Sequence, residues 1–417
     1  MNDGHPKKLF TVRRDHLFQD SMEQLNQEGK HLRKKIQIKF VNEHGFEEAG
    51  VDGGGVFKEF LDDLVREAFQ HQNQYDDDNQ NQYDNQHDNQ MKDAKLPLFA
   101  VSNLETLYVS PGTEHLQSHY TFLGRVLGKA VYESILVEPQ FSTPFLNLLL
   151  GKRNSLDDLK NLDPEFYRHL KTLRNMNDED IANLGLSFEL TSMNTNTNMN
   201  TNTNTNMNTI ELLPNGSNIP LRRHNLLQYI HLVSHYKLNI QGALQTRAFL
   251  KGFRDLVPTP WLRLFSSYEL QKLISGDDTI QGIDVRAMRE TVVYAGGYHP
   301  SQPIIQWFWE ILEYEFTPQQ QRMFLKFMTS CSRQPLMGFG ALTPVPCIRQ
   351  VRLSDHNHMN NNNDANESSM EQSQKDIKLP TSSTCMNLLK LPAYGTKALM
   401  KEKLLYAIES GAGFELS

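Results

Sequence analysis

Cysteine is scarce in this chain: the 417 residues hold three, Cys331, Cys347 and Cys385. A secreted chain of this length usually carries more, in pairs, so the count points to a reducing compartment, the cytosol or nucleus. No two of them stand at the short spacing of a zinc site. A secretory leader is not expected, because MNDGHPKKLFTVRRD at the start has no apolar stretch. Long apolar runs are missing too. Pro144–Leu150 (PFLNLLL) falls far short of the about twenty residues that cross a bilayer. Basic excess is absent: the formal net charge is -7. That disfavours nucleic acid as the main partner and leaves room for a basic protein. The fifteen histidines form no HExxH pattern. The pairs His115/His119 and His231/His235 could each share a helical face, but solvated or hydrogen-bonded imidazoles are the better reading. DGGGVFKEF (Asp52–Phe60) lacks the spacing of either nucleotide fingerprint and reads as a turn before a helix. No cofactor or metal is therefore expected.

Three polar tracts stand out against otherwise ordinary sequence and account for a hydrophobic content of only 38%. They run from about His71 to Asp93, from Ser192 to Thr209 and from Asp355 to Lys375. None has the apolar surface to offset its ordering entropy, so each is predicted to be a disordered insertion in a surface loop. Between them, helical periodicity predicts helices over Val12–Gln27, Val56–Phe69, Phe122–Leu136, Pro164–Arg174, Asn225–Tyr236 and Ala248–Leu256. Further helices are predicted over Ile304–Phe316, Pro318–Thr329 and Thr396–Ile408. Gly124 and Gly128 give the third helix a small-residue face that lets another helix approach closely. Ile36–Val41 alternates as a strand does. Arg349–Leu353 and Met386–Leu391 are short apolar runs, strand or helix. Gly296-Gly297 reads as a turn that uses positive φ. Ser275–Asp278 (SGDD) is a polar turn between two helical patterns, a reasonable hinge.

The cysteines differ in setting. Cys331 follows an amphipathic helix and Cys347 enters a predicted strand, the usual places for buried, inert thiols. Cys385 follows four hydroxyl residues, Thr381–Thr384, and precedes the apolar run, so it lies at the edge between a polar loop and a packed element. Loop hydroxyls and free N–H groups there could stabilise a thiolate. Spacing alone leaves both a catalytic and a packing role open. No His-Asp partner stands near it in sequence, but none is needed if the thiol attacks a thioester, because that exchange is nearly isoenergetic.

The residues around Cys385 carry a resemblance. LPTSSTCMNLLKLPAYG, followed by a helix and the tail GAGFELS, closely resembles the C-terminal end of HECT ubiquitin ligases. VRRDHLFQDS, EEAGVDGGGVFKEF, FLGRVLGKAVYE, WLRLFSSYELQKLISG, YAGGYHP and FLKFMTSCSRQPLMGFG look like further family landmarks, in family order. The finer details are most similar to the group that carries an IQ motif. The resemblance implies an α+β, bilobal fold: a mainly helical N-lobe over residues 1–274, a flexible hinge at 275–278 and a smaller α/β C-lobe over 279–417. It implies that Cys385 is the ubiquitin-accepting nucleophile, that Thr384 helps to position the thioester and that Asn387 and Leu388 follow in the matching loop. It also makes Phe414, fourth from the end, a tail anchor for transfer. An N-lobe groove for a ubiquitin-conjugating enzyme would use Phe166, Leu170, Leu173, Met176, Leu184, Leu186, Tyr229 and Val233. The residue-level reading of Phe166, Leu170 and Leu173 is one helical face, which could equally pack into the lobe's own core.

The implied partners are ubiquitin, a conjugating enzyme and protein substrates. The implied chemistry is two nucleophilic steps, with Glu415 or the carboxylate of Ser417 as candidates to orient the acceptor amine. A non-catalytic docking module is the alternative. A papain-like hydrolase would need a base and an oxyanion hole that the glycines and histidines do not offer.

Overall fold

The computed structural model describes residues 8–42, 46–47, 55–70, 97–192, 208–351 and 378–410. Two of the polar tracts, 71–93 and 355–375, lie outside the described residues, as do Gly53, Gly54, Phe414, Glu415 and Ser417. The chain divides into two compact units, Met1–Glu67 with Lys129–Glu138 and Lys272–Ser417, and Ala68–Gly128 with Pro139–Gln271. The expected 275–278 boundary separates sequence segments, whereas the first unit gathers segments from both sides of it.

In chain order the strands are β1 (Lys8–Arg13), β2 (Ile36–Val41), β3 (Phe99–Val101), β4 (Leu107–Val109), β5 (Glu189–Ser192), β6 (Asn208–Glu211), β7 (Val293–Ala295), β8 (Cys347–Val351), β9 (Thr381–Ser383) and β10 (Leu388–Pro392). The helices are α1 (Leu17–Leu25), α2 (Gly55–Gln70), α3 (Gln117–Tyr132), α4 (Thr143–Leu149), α5 (Pro164–Asn175), α6 (Asp178–Asn183), α7 (Leu226–His235), α8 (Ala243–Leu256), α9 (Thr259–Leu262), α10 (Ser267–Ser275), α11 (Val285–Thr291), α12 (Pro303–Glu310), α13 (Pro318–Thr329) and α14 (Lys397–Ser410). The class is α+β, mostly helical with small sheets. No helix among the described residues is long and apolar enough to cross a membrane.

In the first unit, β1 and β2 pair in parallel. Val12 is therefore a strand residue, and the helix predicted over Val12–Gln27 starts only at Leu17. Phe10 and Val12 face inward while their neighbours face out, a period of two that the helical template masked. A four-stranded sheet of order β7-β8-β10-β9 forms the other part, with only β9 antiparallel to its neighbour. Met386 belongs to the turn before β10, so the predicted run is a strand only from Leu388. Helices α12, α13 and α14 pack with this sheet around Trp309, Phe308, Phe324, Ile348, Leu389 and Leu404. α13 matches its predicted span because both ends are signalled. Pro318 opens it, Thr317 and Gln320 bond reciprocally at its N-terminus, and Ser330 closes it in the left-handed region. Gly296 and Gly297 have the positive φ expected of them, +69° and +107°.

The Ser275–Asp278 turn is packed. Ser275 is buried, its carbonyl 3.6 Å from the Cys331 thiol. Gly276 takes φ +85°, and the Asp277 N–H donates to the Gln334 carbonyl at 2.7 Å. Burial would raise the Asp277 carboxyl, but the Lys272 ammonium at 2.7 Å and Thr279 override it and hold it at about 2.

The second unit is built on an aromatic cluster. Phe99 has the rings of Phe69, Tyr120, Phe141, Phe145 and Phe249 within 6 Å, centroid to centroid. Across it α3 and α8 meet backbone to backbone. A Cβ placed on Gly124 would lie 2.0 Å from the Phe249 carbonyl oxygen, and one on Gly252 1.9 Å from that of Thr121. The close approach expected of the small-residue face is present, and α8 supplies a glycine of its own. A smaller core joins α5, α6 and α7, with β5 and β6 paired beside it. Ser192 and Thr209 lie in that hairpin, so the middle polar tract is narrower than its composition suggests; its remainder, 193–207, lies outside the described residues.

Candidate active site

β9 and β10 form an antiparallel hairpin in register Leu388↔Ser383, Leu389↔Ser382 and Lys390↔Thr381. The connection is a short 3-10 turn, Thr384–Met386, closed by Asn387 at φ +47°. Cys385 is in the middle of that turn. The hydroxyl-rich segment before it supplies strand β9, and the apolar segment after it supplies β10. The polar-to-apolar edge read from the sequence is thus a hairpin turn.

The Cys385 thiol lies 3.2 Å from the Ser383 hydroxyl, and the residue is 5% exposed. Asn387 organises the turn. Its N–H donates to the Thr384 carbonyl at 3.2 Å, and its own carbonyl accepts from the Cys347 N–H at 2.9 Å. Its side-chain amide donates to the Pro344 carbonyl at 2.5 Å. Asparagine suits the position, since it tolerates the left-handed region better than most side chains. Lys58 of α2 completes the set, donating to the Thr384 carbonyl at 2.8 Å and to the Asn387 side-chain oxygen at 2.5 Å. Burial drops its ammonium to about 8, against the opposing pull of Asp62 and the Cys331 and Cys385 thiols.

The other two cysteines have packed settings. Burial, with the Glu138 charge, pushes the Cys331 thiol up to about 12. Cys347 is half-buried in β8 with its thiol raised by burial. A thiol held protonated is a poor nucleophile. Among the described residues no cluster of three histidine, cysteine or acidic side chains could hold a metal ion. His231 and His235 do share a face, with rings stacked at 6.0 Å.

The eight candidate groove residues fall into three groups. Leu170, Tyr229 and Val233 are buried in the small core of the second unit. Phe166, Leu173 and Met176 are half-buried against it, and the Lys237 ammonium sits 4.1 Å from the Phe166 ring centre. Leu184 and Leu186, on the segment after α6, are 45% and 36% exposed. The face at Phe166, Leu170 and Leu173 therefore packs inward in part. Leu184 and Leu186 are the exposed apolar side chains of the set. Thr384 is half-buried in the turn, and Phe414 lies outside the described residues.

Sequence reasoning did not single out Lys58 or Ser383. The signal for Lys58 was available: it stands three residues before Leu61 and seven before Val65, on the apolar face of its helix, where a lysine has no ordinary reason to be.

A family model described as "HECT-domain (ubiquitin-transferase)" matches residues 85–417. The chain is 39% identical over 428 residues to Ubiquitin-protein ligase E3B of Mus musculus, covering 98% of this chain and 36% of that protein. It is 40% identical over 417 residues to E3 ubiquitin-protein ligase UPL6 of Arabidopsis thaliana, covering 99% and 35%. To E3 ubiquitin-protein ligase HUL5 of Saccharomyces cerevisiae it is 34% identical over 419 residues, covering 99% and 40%. The chain spans roughly a third of the length of the relatives it matches.

Proposed function

Since the chain belongs to the HECT-domain ubiquitin-transferase family, we propose that Cys385 accepts ubiquitin as a thioester from a conjugating enzyme and passes it to lysine amines of protein substrates. The observation that carries this reading is the placement of Cys385 on a hairpin turn whose backbone is fixed by Asn387 from within the hairpin, while Cys331 sits in a setting that keeps it protonated.

In the first step the Cys385 thiolate attacks the thioester carbonyl carbon of the charged conjugating enzyme. A carbon–sulfur bond to Cys385 forms and the enzyme's own cysteine leaves as thiolate, so one thioester replaces another at little cost. In the second, a neutral lysine amine attacks the new thioester, an amide bond forms and Cys385 leaves as thiolate. The ammonium proton of the acceptor must go to a base. Thr384, whose carbonyl Lys58 and Asn387 both bond, helps to hold the thioester, and Phe414 acts as the tail anchor during transfer.

The conjugating enzyme docks on the groove of the second unit, where the exposure of Leu184 and Leu186 supports an apolar contact and Phe166, Leu173 and Met176 line its edge. Residues 1–274 act as the docking lobe and 279–417 as the lobe that carries Cys385. They move about 275–278, because one thiol must meet two partners. An intracellular site of action fits the cysteine usage.

The test is a non-reducing gel of the chain with activating enzyme, a panel of conjugating enzymes, ATP and labelled ubiquitin, beside Cys385→Ala. A reductant-sensitive adduct that needs Cys385 is expected. No adduct from folded protein would leave a docking module, and an adduct that survives Cys385→Ala would name the wrong cysteine.

A further inference from the structure

Lys58 is a buried cation for which the two-step chemistry has no stated use. It is 7% exposed and belongs to α2, in the segment before 275–278, while both acceptors of its hydrogen bonds belong to the turn that carries Cys385. Those acceptors, the Thr384 carbonyl and the Asn387 side-chain oxygen, flank Cys385 on either side. The turn is thus held by Cys347 and Pro344 from the segment after 275–278 and by Lys58 from the segment before it. The charged and titratable groups around the ammonium are Asp62 on its own helix, the Cys331 and Cys385 thiols, and Arg333 on the wall of the same small cavity.

On the reading that Cys385 carries ubiquitin, we infer that Lys58 is a positioning residue for the second step, docking the Cys385 turn on α2 while the acceptor amine attacks. The docked turn leaves Cys385 5% exposed. A residue so screened does not present its sulfur to a carbonyl carbon held on a separate folded protein, so charging takes place with the turn away from α2, when Lys58 does not touch it. Discharge is different. The attacking group is a single amine on a slender chain of four methylenes, which enters where a protein surface cannot. Docking also brings the thioester to the helix that carries Asp62, one turn from Lys58. That carboxyl accepts from the Arg66 guanidinium at 2.7 Å, and burial raises it even against that charge, which makes it a better proton acceptor than an exposed aspartate. The Lys58 contact exists only while the turn sits on α2, so its loss falls on the step that needs the turn there.

The experiment separates the steps by single turnover. Wild type, Lys58→Met and Lys58→Arg are charged with labelled ubiquitin, the supply is quenched, free lysine is added and loss of the thioester is followed on non-reducing gels. Lys58→Met should charge within about twofold of wild type and discharge at least about tenfold more slowly, the scale on which small misplacements of reacting groups act. Lys58→Arg, which keeps the charge and the N–H donors, should restore most of the discharge rate. A merely structural role would slow both steps alike. Unchanged discharge in Lys58→Met, or a parallel fall in both steps, overturns the inference. Circular dichroism and melting precede the assay; if Lys58→Met does not fold, Lys58→Gln, uncharged with one amide donor, should show the same split. A wild-type chain that forms no reductant-sensitive adduct refutes the Cys385 reading itself and this inference with it, whereas a wild type that charges and discharges beside an unaffected Lys58→Met refutes this inference alone.

Discussion

Replacing Lys58 by methionine exchanges two opposing terms of similar size, and pH separates them. Lowering the ammonium from 10.5 to about 8 means that burying its charge costs about 3 kcal/mol near neutrality, at ~1.4 kcal/mol per pH unit. Methionine fills a similar volume without that cost. Against this, it removes two donors. The Thr384 carbonyl keeps the bond from the Asn387 N–H, so the loss falls mainly on the Asn387 side-chain oxygen, a buried acceptor worth about 1–3 kcal/mol when unpaired. At pH 7 the variant and the wild type should therefore differ by no more than about 2 kcal/mol, with the sign unforced.

The pH dependence has a definite sign. Lys58 has a folded value below its unfolded one, so between about 8 and 10.5 the unfolded chain binds more protons than the folded chain. Wild-type stability from this group then rises with pH across that window and is lost as pH falls through 8. The methionine variant has no such contribution. Subtracting the two urea-unfolding curves cancels every other lysine, and the difference should shift toward the wild type by about 3 kcal/mol between pH 7 and pH 10.5. Parallel curves across that range would refute the burial of a charged Lys58.

Gly252→Ala would set a Cβ 1.9 Å from the Thr121 carbonyl oxygen, so α3 and α8 must separate; a loss of at least about 3 kcal/mol is expected in urea melts, and a wild-type melt would refute the close crossing. Leu184→Asp and Leu186→Asp should leave the melt within about 0.5 kcal/mol of wild type, as exposed substitutions do, yet slow charging by the conjugating enzyme; Leu170→Ala should do the reverse and cost about 2–5 kcal/mol. Asn387→Gly keeps the left-handed backbone and loses the bonds to Lys58 and Pro344, for about 2–4 kcal/mol, and Asn387→Ala should cost about 1 kcal/mol more because alanine resists φ +47°. A proline at 278 is the substitution that tests movement about the turn, since one at 276 needs negative φ where Gly276 has +85° and one at 277 deletes the bond to Gln334; slower discharge at unchanged stability is expected from Asp278→Pro.

What the sequence made legible follows from the range of the interaction that leaves the mark. A helix with its cap written into four adjacent residues, Thr317 to Gln320, was placed to the residue. The glycines of α3 announced a close neighbour, because a missing side chain on a buried face has a local signature, but nothing local named α8 as that neighbour. β1 was misread because its two inward residues, Phe10 and Val12, run straight into the helical spacing of α1, and its partner β2 lies more than twenty residues on. The ends of the middle polar tract were missed for the opposite reason: a hairpin such as β5–β6 is held by backbone pairing, which threonine and asparagine supply without any apolar pattern. The site divides in the same way. Cys385 was legible because motif and turn are contiguous. Lys58 was not, since its acceptors are Thr384 and Asn387, at the far end of the chain. What the pattern did contain was a contradiction, a lysine on the buried face of α2 in line with Leu61 and Val65. A charge in such a place must have partners inside the protein, because burying it unpaired costs more than a helix face can return. Periodicity that is broken by a charge therefore locates a long-range polar contact without identifying it, and here that contact is the one that reaches the turn of Cys385.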